Sequence, residues 1–174
     1  MAILTGSINL TSSLSQAAPA SIPGGSKLTT QNSVKFTPVT GAPGDPDAID
    51  LKYSRTLTLT ATPSVLDLSA LTDVFGEAVA FTRVRSILVI NKSTTDGHDL
   101  LLGYSSTTAN AWTALLSNPG QIRVGASTAG NSGVFYAASP NTTGWAVSST
   151  SRLLNLDPGA STFDVVVEVT GSSA

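Results

Sequence analysis

The chain has one histidine, His98, in the run Asp96-Gly97-His98-Asp99. Imidazole is the side chain best suited to acid–base or metal chemistry near neutral pH. An imidazole beside two carboxylates could ligate a metal or act as the base of a Ser–His–Asp set. A metal site, however, needs ligands converging from separate segments, and no Gly-x-Ser-x-Gly elbow occurs to present a nucleophile. Asp96-Gly97 instead signals a tight hairpin turn, with His98 a polar residue at its tip. Cysteine is absent, which removes thiolate nucleophiles, disulfides and Cys-ligated zinc together.

The carboxylates give no more. Asp164 and Glu168 share a strand face two pleats apart, too far to share a proton. Arg83 and Arg85 also share a face, so cross-strand ion pairs are expected if their strand lies beside the C-terminal one. No phosphate-binding loop is present. Tyr104, Trp112, Phe135, Tyr136 and Trp145 could stack on sugars, but in a chain with 6% aromatic residues they are needed for packing. Asn9, Asn91 and Asn141 begin N-x-[ST] sequons, read as chance matches in a Thr-rich chain. No residue is assigned a catalytic, cofactor-binding or metal-binding role, and the chain is expected to be neither an enzyme nor a cofactor carrier.

The elements around these residues read as strands. Arg55 to Thr62 alternates strictly, with Leu57, Leu59 and Ala61 on one face and threonines on the other. Phe81 to Ile90 is apolar on both faces in its second half, as in a central strand. Leu100, Leu102 and Tyr104 resume alternation. Shorter strands are expected at Trp112–Leu116, Gln121–Gly125, Val134–Ala138, Gly144–Ser148, Arg152–Leu156 and Thr162–Thr170, with Gly, Pro and Asn turns between them. Ser69–Ala80 is the only place for a turn of helix. The pattern predicts an all-β fold, an antiparallel two-sheet β-sandwich that is jelly-roll-like.

Residues 1–50 differ. Pro19, Pro23, Pro38, Pro43 and Pro46 block helix, and the segment reads as an extended N-terminal arm ahead of a sandwich at 51–174. Charged residues make up 11% of the 174, and Ser, Thr, Ala and Gly take their place. Such a neutral, hydroxyl-rich surface suits packing against other protein surfaces. The net charge of −2 gives no field to attract nucleic acid. Neither a secretion signal nor a membrane-spanning stretch is read, so synthesis in a cytoplasm is expected.

Two stretches carry a resemblance. They are Leu66-Asp67-Leu68-Ser69-Ala70-Leu71-Thr72-Asp73-Val74-Phe75-Gly76-Glu77-Ala78-Val79-Ala80-Phe81 and Val84-Arg85-Ser86-Ile87-Leu88-Val89-Ile90-Asn91-Lys92-Ser93. With Gly144-Trp145-Ala146-Val147 and Phe163-Asp164-Val165-Val166-Val167, the chain resembles bacteriophage head decoration (cement) proteins and related small virion components over residues 56–170. The resemblance implies a β-sandwich that oligomerises, commonly as a homotrimer. It also implies binding to the outside of an assembled capsid in an infected bacterium, where the protein would bridge subunits of the major capsid lattice and stabilise the head. Neither nucleic acid nor membrane is an expected partner. The alternatives are another phage part (tail, neck or head-fibre subunit) or a carbohydrate-binding sandwich using Trp112 or Trp145.

Overall fold

The computed structural model describes residues 8–17, 27–36, 49–103, 108–116, 120–126, 132–139 and 144–173, the first two segments as backbone only. Every regular element in them is a β-strand. The chain divides into two units, Thr5–Pro38 and a body that takes up the chain again at Val39. In the first, β1 (Ile8–Ala17) and β2 (Lys27–Phe36) pair antiparallel from Ile8↔Phe36 to Ala17↔Lys27. Thr11, Thr29, Thr30 and Val34 supply the β-branched residues that favour a ladder. The part of the chain read as an extended arm therefore contains a hairpin. Its five prolines lie outside the described residues.

The body's strands are β3 (Leu51–Leu59), β4 (Ser64–Asp67), β5 (Leu71–Thr72), β6 (Ala78–Val79), β7 (Arg83–Asn91), β8 (Leu100–Gly103), β9 (Gln121–Val124), β10 (Gly133–Ala138), β11 (Trp145–Ala146), β12 (Leu153–Asp157) and β13 (Phe163–Ser172). One sheet has the order β10-β7-β13-β3, with β11 continuing beside β7, and the other has β4-β12-β8-β9. All these pairings are antiparallel. Alternation along β13 turns Phe163, Val165, Val167 and Val169 inward, where they join Ile87 and Val89 of β7. Against them stand Leu100 and Leu102 of β8 and Leu154 and Leu156 of β12, in one continuous apolar cluster. This is a two-sheet sandwich.

β7 is central, as its two apolar faces predicted, but its phase changes partway. Thr170 lies opposite Ser86 and Gly171 opposite Val84, so Arg85 is the extra residue of a bulge. The bulge turns Val84 inward on the face of Ile87, where strict alternation had set Arg85. A Cβ on Gly171 would come 2.0 Å from the Arg83 carbonyl oxygen, so only glycine allows the two strands to close there.

Three local expectations are corrected. Asp96-Gly97 does not close a hairpin, because β7 and β8 belong to different sheets. The Asn91 side chain, fully buried, donates through Nδ2 to the carbonyls of His98 (2.7 Å) and Val124 (3.0 Å), tying the end of β7 to the opposite sheet. Ser69–Ala80 contains no helical turn, because β5 and β6 pair there with Leu71 opposite Val79. Trp112–Leu116 is not a strand: Trp112 is drawn into the core, its backbone N–H bonds to the Leu153 carbonyl, and the chain continues irregularly.

Candidate functional site

The His98 loop is built from its backbone outward. Asn91 Oδ1 accepts the Ser93 N–H at 3.0 Å, and Ser93 Oγ accepts the Thr95 N–H at 3.2 Å. The Thr95 carbonyl then accepts the His98 N–H. These turns bring His98 Nδ1 to 3.0 Å from Ser93 Oγ and lay the ring on Phe163, with centroids 5.7 Å apart at 26°. The structure thus does bring a serine to the histidine, which spacing alone did not suggest. The two carboxylates flanking His98 in sequence are turned to other partners: Asp96 Oδ1 accepts the Gly97 N–H, and Asp99 pairs with Arg123 at 3.1 Å. Ser93 is itself buried and already accepts a backbone donor. A hydroxyl so placed fastens the loop. A shallow depression of about 440 Å³ opens there, with Ser93, His98, Phe163, Asp164, Lys92 and Thr58 among its lining residues.

The carboxylates pair with β3 and not with β7. Asp164 accepts the Thr58 hydroxyl at 2.7 Å, while Glu168 accepts Ser54 Oγ at 3.1 Å and lies 3.6 Å from Lys52 Nζ. The expected neighbour of β13 is present, but register decides the partner. Glu168 faces Leu88 across β7 and Ser54 across β3, so Arg83 and Arg85 are out of reach along the strand. Among the described residues no three His, Asp or Glu side chains gather as a metal site. The Asn91 sequon is closed to a glycan in the folded chain, because its amide is buried and bonded.

The aromatic residues are spent on packing. Trp112 is 2% exposed, donates Nε1–H to the Ala146 carbonyl at 2.9 Å and meets Trp145 edge-on at 6.4 Å and 88°. Trp145 and Phe135 are half-buried against the same core. Tyr104 lies outside the described residues.

What remains is a surface feature that sequence reading missed, the tip of the β5–β6 hairpin. Asp73 begins its turn. Its Oδ1 accepts the N–H groups of Phe75 (2.8 Å) and Glu77 (2.9 Å), and its backbone exchanges bonds with Glu77 and Gly76. Gly76 completes the turn at φ 88°, in the left-handed region. Val74 and Phe75 are left at the apex, 65% and 86% exposed. Between this hairpin and β3 runs a groove of about 530 Å³, with Asp50 and Lys52 lining it from the β3 segment and Asp73 and Glu77 from the hairpin. The signal was present as Asp73-x-x-Gly76 between Leu71-Thr72 and Ala78-Val79, a turn that ends in a left-handed glycine.

Comparison with known protein families, curated proteins and solved structures found no match to this chain.

Proposed function

We propose that this chain is a structural protein of a phage particle. In this reading it binds the outer surface of an assembled head in more than one copy and bridges neighbouring major capsid subunits. The observation that carries the reading is the rigid apolar tip, in which Val74 and Phe75 are held out by the Asp73 bonds. A large aromatic side chain presented to water on a fixed turn is the kind of anchor that fills a partner's pocket, and its ordering cost is met before binding. The tip lies within Leu66–Phe81, the stretch on which the resemblance rests.

The route of the chain supports the jelly-roll reading. From β3 to β13 it winds between the sheets so that its first and last strands, β3 and β13, are neighbours, as are β4 and β12. Double-sheet folds of that order serve both capsid and lectin domains, so the fold is common to the virion and the sugar-binding readings. The sugar-binding alternative loses its platform, since Trp112 is buried and bonded and Trp145 packs against it.

The test is co-sedimentation of the purified chain with undecorated heads. At micromolar concentration the chain should pellet with the heads, and Phe75→Ser should remain in the supernatant. Failure of the wild type to pellet sinks the reading. Immunogold labelling of particles then separates a head position from a tail, neck or fibre position.

A further inference from the structure

Among the described residues four strands border the two sheets, apart from the two-residue β11 that continues the edge of β10, and they are not equally guarded. β3 carries Lys52, and its Arg55 stands in the inward row opposite Val167 yet is exposed, a charge that would be trapped by any strand added there. β4 is short, follows Pro63 and ends in Asp67. β9 is equally short and holds Arg123, whose side chain is 71% exposed. β10 differs from all three. It is Gly133-Val134-Phe135-Tyr136-Ala137-Ala138, with no charge and no proline, and Val134 is 56% exposed.

The open stretch of β10 can be placed by hydrogen bonding. Ser139 N–H donates to the Arg85 carbonyl, so the odd-numbered residues turn their backbone groups toward β7. Val134, Tyr136 and Ala138 then turn theirs the other way, where among the described residues no strand pairs with them. One end is closed, because the Ala126↔Ser132 bridge and Gly125, packed onto Gly133, occupy the edge up to that glycine. The outer face beside the edge is apolar as well: Val134 lies level with Ile90 and Val166, and Tyr136 with Leu88.

We infer that the β10 edge binds a second copy of this chain, antiparallel about a twofold axis, joining two sheets into one. Charge selects the occupant. A strand set against its own copy meets every one of its charges again, so β3 would face Lys52 and Arg55 with themselves, and β9 would do the same with Arg123. Of the four, β10 alone brings no charge to such a pairing. With Tyr136 opposite Tyr136 of the second copy, Val134 falls opposite the partner's Ala138, and each of these pairs exchanges both of its backbone bonds. A contact that maps onto itself by a twofold closes as a dimer, in place of the trimer the resemblance implies.

The inference does not depend on the capsid reading, and it is tested on the full chain in solution. Sedimentation velocity at micromolar concentration should give twice the 17.7 kDa of one chain. Val134→Lys puts a charged side chain on the neutral edge, opposite Ala138 of the second copy. Val134→Pro removes an outward N–H that the chain's own sheet does not use. Both should sediment as monomers while keeping the wild-type far-ultraviolet circular dichroism. Thr56→Lys, on the outer face of β3, should remain a dimer. A monomeric or trimeric wild type overturns the inference, as does a dimer that survives both Val134 changes or is lost on Thr56→Lys.

Discussion

Tyr136 shows how a single polar atom can work against the fold that buries it. Its ring lies on the outer face of β10 opposite Leu88, and its hydroxyl is shut away from solvent with no hydrogen-bond partner. A buried donor left unmade costs the fold its desolvation, so Tyr136→Phe should stabilise the chain by about 1 kcal/mol. Urea denaturation at neutral pH measures this, and an unchanged or lower midpoint would show that the hydroxyl has a partner. The same burial pushes the phenol above its ordinary value of 10.0. The unfolded chain then ionises first. Stability is therefore intact below about pH 10 and declines as pH rises from there toward the folded-state value. Tyr136→Phe should make that alkaline decline shallower. Tyr53, also raised by burial against the opposing pull of Arg55, should leave part of it in place.

At the level of elements, the bulge between β7 and β13 is the sharpest constraint. Gly171→Ala would drive a methyl into the Arg83 carbonyl within the pairing and against the buried Phe81 ring. The strands must separate or the bulge must move, and a cost of about 3 kcal/mol is expected, at the upper end of overpacking. Thermal unfolding of Gly171→Ala measures it, and a change within error would mean that the bulge relaxes freely. That bulge also marks how far the sequence can be read. Strict alternation made β13 and most of β3 legible, because one residue in two faces a continuous core. It could not locate the extra residue at Arg85, since a bulge changes phase without changing composition. Asp96-Gly97 was misleading for a different reason. Turn chemistry reports a local reversal, whereas the sheet that the next strand joins is settled by Asn91, whose amide bonds reach Val124 on the opposite sheet. The β5–β6 tip was hidden because two-residue strands are too short to show a period.

For the whole molecule, the two sheets form a scaffold that holds one apolar tip in a fixed place on a surface poor in charge. If that tip seats in a capsid pocket, binding is linked to assembly, since only the assembled lattice offers the site at full affinity. Undecorated heads should then open at a higher temperature when the protein is added, and the gain should saturate as lattice sites fill. Phe75 is exposed in the free chain, and its turn is held by Asp73 and Gly76, so Phe75→Ser should leave the fold and its melting temperature unchanged. Against heads, the loss of a central aromatic anchor costs about 2 kcal/mol, roughly a thirtyfold rise in the concentration needed for half-saturation. Asp73→Ala separates position from chemistry. It keeps the aromatic ring and removes the bonds that hold it, so its binding should weaken while Phe75 remains available to find the pocket. Light scattering of heads during a temperature ramp follows all three proteins. Equal protection by the wild type and Phe75→Ser would mean that another surface of the sandwich meets the head.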